Sequence, residues 1–167
     1  YAIDTKRPTA TIIGTEKKDI LIGNALANKI IGKLGSDLLE GGPGNDILNG
    51  GRGHDQLNGG AGADVIAGGQ GRDSFIYNDD SDSTQNHRDS IKINSNDHIN
   101  LKRIDGDINT SGKQSLFFVG SNSFSGIAGE LRATHTLLAA DLNGDRIADF
   151  AINLHGDTQI TMEQLIL

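Results

Sequence analysis

The sequence predicts an all-β protein: a coil of short parallel strands over residues 14–82, followed by a small antiparallel β cap over 83–167. Three observations predict it. Glycine makes up 23 of the 167 residues, about twice the usual ~7%, and it is concentrated in the first half. It recurs there every nine residues, with an Asp and a large apolar residue at fixed places behind it. In the second half short runs of alternating apolar residues take over, separated by turn residues.

The repeats are GTEKKDILI (14–22), GNALANKII (23–31), GKLGSDLLE (32–40), GGPGNDILN (41–49), GGRGHDQLN (50–58), GGAGADVIA (59–67) and GGQGRDSFI (68–76). Gly holds position one in every repeat. Position six is Asp19, Asn28, Asp37, Asp46, Asp55, Asp64 and Asp73, and the frame runs one step on to Asp82. Position eight is Leu21, Ile30, Leu39, Leu48, Leu57, Ile66 and Phe75. Each repeat reads as a six-residue turn and a three-residue strand, and alternation of faces sends one side chain of that strand inward. Two repeats complete one coil, so the turns line two opposite edges. Asp19, Asp37, Asp55 and Asp73 stack on one edge, and Asn28, Asp46, Asp64 and Asp82 on the other.

Neighbours in such a stack stand one strand spacing apart, roughly 4.8 Å. Two bare carboxylates at that distance repel by ~0.9 kcal/mol in water and by several times more near a protein surface. A column of them needs a counter-charge. A hard divalent cation supplies one, and carboxylate and carbonyl oxygens are what Ca²⁺ prefers. The candidate metal residues are therefore the eight stacked side chains, Asp19, Asn28, Asp37, Asp46, Asp55, Asp64, Asp73 and Asp82. To these we add the backbone of the turn glycines Gly32, Gly35, Gly41, Gly42, Gly44, Gly50, Gly51, Gly53, Gly59, Gly60, Gly62, Gly68, Gly69 and Gly71. Several Ca²⁺ ions, about five to six, are expected.

GGPGNDILN and the three repeats after it carry the pattern GGxGxDxUx, which resembles the repeat of RTX proteins. The resemblance implies a parallel β-roll built from nonapeptide repeats, with Ca²⁺ shared between turns eighteen residues apart. The pairs implied are Asp19/Asp37, Asn28/Asp46, Asp37/Asp55, Asp46/Asp64, Asp55/Asp73 and Asp64/Asp82. The first three repeats depart from it: Thr15, Asn24 and Lys33 replace the second Gly, Lys17 and Leu26 the fourth-position Gly, and Asn28 the Asp.

Beyond Asp82, Ser83 to His87 reads as a loop and DSIKI (89–93), HINL (98–101) and SLFFV (115–119) as strands. In TLLAADLNGDRIADFAINL (136–154), Leu138, Ala140 and Leu142 alternate, Asn143-Gly144 offers a hairpin turn, and Ala148, Phe150, Ile152 and Leu154 alternate again. Asp141, Asn143, Asp145 and Asp149 have spacings like those of an EF-hand loop, but Ile152 stands where its last Glu belongs. A hairpin with a polar tip is one reading, and an extra calcium is the other.

FVGSNSFSGIAGELR (118–132), DLNGDRIADFAINLHG (141–156) and EQLIL (163–167) are similar to the C-terminal region of serralysin-type secreted metalloproteases. That resemblance implies an uncleaved C-terminal signal read by a type I secretion exporter, a covalently attached catalytic domain and an extracellular location. Gln164 interrupts the acidic-then-apolar ending, and Asn100 stands where that family has an Asp. A second resemblance, to the R-modules of mannuronan C5-epimerases, implies an anionic polysaccharide (alginate) as partner. Lys6, Arg7, Lys17, Lys18, Lys29 and Lys33 form a basic stretch that suits it, or a solvated face.

The formal charge of −7 and the lack of a basic stripe argue against nucleic acid. No apolar run approaches ~18 residues, so no membrane insertion is expected. There is no Cys, which excludes disulfides and thiolate sites. His54, His87, His98, His135 and His155 form no HExxH, and no nucleophile motif is present, so the chain is expected to be a non-catalytic module. It opens at Tyr1 rather than Met, so we expect a piece of a longer protein, with residues 1–13 as a linker or leading strand, and with no charged-then-apolar leader no Sec-type signal peptide is expected.

Overall fold

The computed structural model describes residues 11–156 and 160–167. Its strands in chain order are β1 (Thr11–Ile13), β2 (Ile20–Ile22), β3 (Lys29–Leu34), β4 (Leu38–Glu40), β5 (Ile47–Gly53), β6 (Gln56–Asn58), β7 (Val65–Gly71) and β8 (Ser74–Ile76). Then follow β9 (Asp89–Lys92), β10 (His98–Asn100), β11 (Phe117–Phe118), β12 (Glu130–Ala133), β13 (Leu137–Asp141), β14 (Phe150–His155) and β15 (Leu165–Ile166). Among the described residues no helix is long and apolar enough to cross a membrane.

The expected three-residue strand holds for β2, β4, β6 and β8, whereas β3, β5 and β7 run on through the following glycines to six or seven residues; in each the position-eight side chain points inward. All seven position-eight residues are buried. Odd-numbered strands pair in parallel at a register of eighteen, Ile12 with Ile30 and Ile30 with Leu48. Even-numbered strands do the same, Leu21 with Leu39 and Leu39 with Leu57. The two sheets enclose one column of Leu, Ile and Phe, all in a single buried cluster.

The fourth-position glycines are a steric requirement. Gly53 has φ +142°, and a Cβ there would collide with the carbonyl oxygen of Gly35, one coil earlier. A coil rise set by backbone hydrogen bonds leaves no room for a side chain at that point.

The second half departs from the expectation in its topology. The parallel coil does not stop at residue 82. β9 joins β7, with Ile91 beside Ile66, and β10 joins β8, with Ile99 beside Phe75. β14 then pairs in parallel with β9, placing Leu154 beside Ile91, and β15 with β10, placing Leu165 beside Ile99. The roll therefore has a fifth coil from β9 and β10 and a sixth from β14 and β15. Residues 101–149 are an insertion between them.

The antiparallel pairs are β12 with β13 and β13 with β14, whereas β11, also in the insertion, pairs in parallel with β12. They extend the larger sheet in the order β9-β14-β13-β12-β11. The expected Asn143-Gly144 hairpin turn is in fact a longer loop over 142–149. The Asp141 carboxylate gathers the backbone N–H groups of Asn143, Gly144 and Arg146. Asp149 takes those of Leu142 and the Asn143 side chain.

The one-sided alternation expected for this hairpin is also incomplete. Ala139 and Ala151, on the opposite face, are buried under Phe124. Small residues face both ways because both faces of β13 and β14 are covered. Of the expected linker or leading strand over 1–13, residues 1–10 lie outside the described residues, and Thr11–Ile13 is the first strand of the roll.

Candidate metal centre

The position-six side chains form two hydrogen-bonded columns. On one edge the Asp19 N–H donates to Oδ1 of Asp37 (2.8 Å), Asp37 to Asp55 (2.8 Å), Asp55 to Asp73 (2.9 Å) and Asp73 to Asp97 (3.0 Å). On the other, Asn28 donates to Asp46 (2.7 Å), Asp46 to Asp64 (2.7 Å) and Asp64 to Asp89 (2.8 Å). The backbone of each turn thus orients the carboxylate of the next, which leaves the second oxygen to be accounted for.

That oxygen divides the columns in two. Oδ2 of Asp37, Asp46, Asp55, Asp64 and Asp73 is buried and has no hydrogen-bond partner, whereas the Asp89 carboxylate has the buried Tyr77 hydroxyl beside it. A buried acceptor without a donor costs about 1–3 kcal/mol, and more when charged. At the column ends the same atom is satisfied locally. Asp19 Oδ2 takes the Thr15 N–H (2.6 Å) and hydroxyl (2.9 Å), and Asp97 Oδ2 takes the Asn94 N–H (2.7 Å). Asn28 Oδ1 takes the Asn24 N–H (2.6 Å). The side chains at position two of the first two repeats also take part: the Thr15 hydroxyl donates to Asp19, and Asn24 Oδ1 accepts from Asn28 Nδ2 (3.2 Å).

Position-one glycines complete the arrangement. A Cβ on Gly50 would meet both Oδ2 of its own Asp55 and the carbonyl oxygen of Gly68, one coil on. Gly32 stands likewise between Asp37 and the Gly50 carbonyl, and Gly41 between Asp46 and the Gly59 carbonyl. Acceptors converge where a side chain is absent, and nothing with a donor proton lies between them. A hard cation fits that donor set. Among the described residues no three Asp, Glu or His side chains gather as a cage, so its shell would draw on backbone carbonyls as well as carboxylates.

Burial pushes these carboxyls up. Asp55 is raised to about 6, by burial first and then by the charges of Asp73 and Asp37. Asp64 is raised to about 7, by burial and by Asp46 and Asp82. Asp89 is raised to about 8, by burial and by Asp64 and Asp82. Asp37, Asp46 and Asp73 are raised for the same leading reason. Asp19, hydrogen-bonded to Thr15, is lowered.

Of the six expected pairs, the structure brings together Asp19/Asp37, Asn28/Asp46, Asp37/Asp55, Asp46/Asp64 and Asp55/Asp73. The sixth is corrected. Asp82 does not continue the column; its Oδ2 accepts from the N–H groups of Asn78 and Asp79, and Asp89 takes the stacked place. Asp89 and Asp97 were missed because the glycines of the frame are gone and the spacing lengthens from 18 to 25 and 24 residues. The signal left in the sequence is the pair D-S-I (89–91) and D-H-I (97–99), each an Asp two residues before an inward Ile. Ser83 was also missed. Fully buried, its hydroxyl accepts the Asp89 N–H (2.9 Å) and donates to the Ala151 carbonyl (2.6 Å), tying the fifth coil to the sixth.

The model of the RTX calcium-binding nonapeptide repeat matches in four copies, over residues 11–39, 22–57, 40–75 and 53–83. Residues 11–83 are RTX calcium-binding nonapeptide repeats. Two solved structures are similar to this chain, both R subunits of the mannuronan C5-epimerase from Azotobacter vinelandii determined in solution. One is 26% identical, with 92% of this chain and 80% of that chain covered at a TM-score of 0.40. The other is 24% identical, with 92% and 90% covered at a TM-score of 0.38. Comparison with curated proteins gave no match.

Proposed function

We propose that this RTX chain is a non-catalytic module that folds when it binds Ca²⁺ outside the cell, and that it supports the type I secretion and stability of a larger secreted enzyme. The observation that carries the reading is the set of five buried carboxylate oxygens without donors, on Asp37, Asp46, Asp55, Asp64 and Asp73. The ions would be held by Asp37/Asp55, Asp55/Asp73, Asp46/Asp64 and Asp64/Asp89, with carbonyls of the turn glycines completing each shell. What calcium supplies is positive charge between coils. The chain supplies the rest: N–H groups that fix each carboxylate and turns that exclude side chains from the gap.

Where calcium is scarce, the columns oppose folding and the chain stays threadable. Outside, at the ~10⁻⁴–10⁻³ M characteristic of extracellular modules, binding free energy becomes folding free energy. The C-terminus fits this order of events. In the folded chain Gln164 donates to the Asn94 and Asp97 carbonyls, and Leu165 and Ile166 are strand residues of the last coil. A transporter would reach that segment only before the roll closes.

Fusing residues 1–167 to a passenger in a strain with a type I exporter tests the secretion role. Passenger in the medium, lost when the last five residues are deleted, is expected; passenger retained in the cytosol contradicts it. The exposed lysines Lys17, Lys18, Lys29 and Lys33 on the first coils favour a second reading, an anionic polysaccharide-binding module of a secreted epimerase. Calorimetry with alginate oligomers in saturating calcium separates the two, and no heat above dilution removes the second.

A further inference from the structure

Where the insertion meets the segment before β9 lies a second unbalanced charge cluster, of opposite sign to the columns. Arg88, Arg132 and Arg146 line one cavity of about 400 Å³, and among the described residues no carboxylate lines it. This is a chain of net charge −7, so acids to neutralise the three guanidiniums are plentiful, yet the adjacent ones are engaged elsewhere. Glu130 takes the N–H groups of Ser125 and Gly126, and Asp149 that of Leu142.

The arginines are fixed rather than solvated at random. Arg88 Nε donates to the Gln85 carbonyl (3.1 Å) and Arg146 Nε to the Ser125 carbonyl (3.0 Å). Arg132 lies over the Phe124 ring, 4.9 Å from its centre, and its Nε is buried without a partner. Arg146 is held at φ +73°, a conformation L residues rarely adopt. Gly126 leaves space for it, since a Cβ there would stand 2.9 Å from Arg146 Nε. Strain and preorganisation of this kind collect where a ligand is met. The rest of the wall mixes the polar Gln85 and Ser123 with Leu137, Ile147 and Ala151, so an anion with a carbon frame finds apolar contact beside the guanidiniums.

We propose that this cavity binds a small organic carboxylate, its oxygens on the three guanidiniums and its apolar frame against Leu137, Ile147 and Ala151. The planar fork of a guanidinium matches a carboxylate in two-point contact. The cavity is also within the size range of small-molecule sites. It lies between the insertion and the segment leading into β9, with Arg88 next in sequence to the column residue Asp89, and it does not rest on the secretion reading.

The test uses the full chain in saturating calcium, with benzoate as the organic probe and sulfate as the inorganic one, followed through the arginine Nε–Hε resonances. Millimolar benzoate is expected to shift the signals of Arg88, Arg132 and Arg146, and sulfate to shift them less. Arg88→Gln and Arg146→Gln should each weaken benzoate by about tenfold, the effect of losing one charge-assisted contact, with the calcium-induced circular dichroism unchanged. Absence of any benzoate shift, sulfate binding as well as benzoate, or wild-type affinity in both variants would each overturn the proposal.

Discussion

At the scale of single residues, the telling contrast is between Asp64 and Asp19, which hold the same place in the repeat. Asp64 Oδ2 is buried with no donor, whereas Asp19 Oδ2 has two donors from Thr15. Asp64→Asn removes a buried charge, so it should leave more β signal in chelator than the wild-type chain shows. It should also lower calcium affinity by at least about tenfold, or ~1.4 kcal/mol. Asp19→Asn should change neither by as much; far-UV circular dichroism in chelator and during a calcium titration reads both effects. The raised carboxyls also fix a pH dependence for the calcium-free chain. A folded-state pKa above the unfolded ~3.9 means that the folded form binds more protons, so its stability falls as pH rises. With Asp55, Asp64 and Asp89 at about 6, 7 and 8, that loss runs from about pH 4 to pH 8. In chelator, far-UV circular dichroism should therefore show more β signal at pH 4.5, where these carboxyls are protonated, than at pH 8, within the window set by these groups. Less β signal at the acid end would contradict the account.

At the scale of the strand and turn, the repeat was legible because its spacing and its chemistry coincide. Every nine residues a glycine, a carboxylate and an inward Leu, Ile or Phe recur, and the structure uses all three. The two coils that close the roll were less legible. β9 and β10 keep the Asp-x-Ile core of the repeat but lose its glycines, and β14 and β15 find their partners across the insertion 101–149. Nothing local in FAINLH or LI says that they lie beside residues sixty positions earlier; only pairing register settles that. Turn chemistry makes a separate prediction. Gly53→Ala puts a Cβ into the Gly35 carbonyl at φ +142°, whereas Gly112 has φ +87° with open space around it. Gly112→Ala should cost only the conformational ~1 kcal/mol. Gly53→Ala adds a backbone collision and should cost at least about 1–3 kcal/mol more, read as the difference in unfolding free energy in calcium.

At the scale of the molecule, two sheets share one narrow column of inward side chains, and both edges of that column are lined by carboxylates. The hydrophobic column sets which residues face inward; it does not remove repulsion between turns. Calcium is the component that does, and the central claim is that the roll depends on it to close. The most direct test is far-UV circular dichroism as Ca²⁺ is added to the chelated protein, with Mg²⁺ in parallel. The account predicts a cooperative gain of β signal with calcium and little with magnesium, which demands a rigid octahedron that flexible carbonyl-lined turns do not offer. A full β spectrum in excess chelator, unchanged on adding calcium, would contradict it, because the columns would then be compatible with a folded chain lacking the ion.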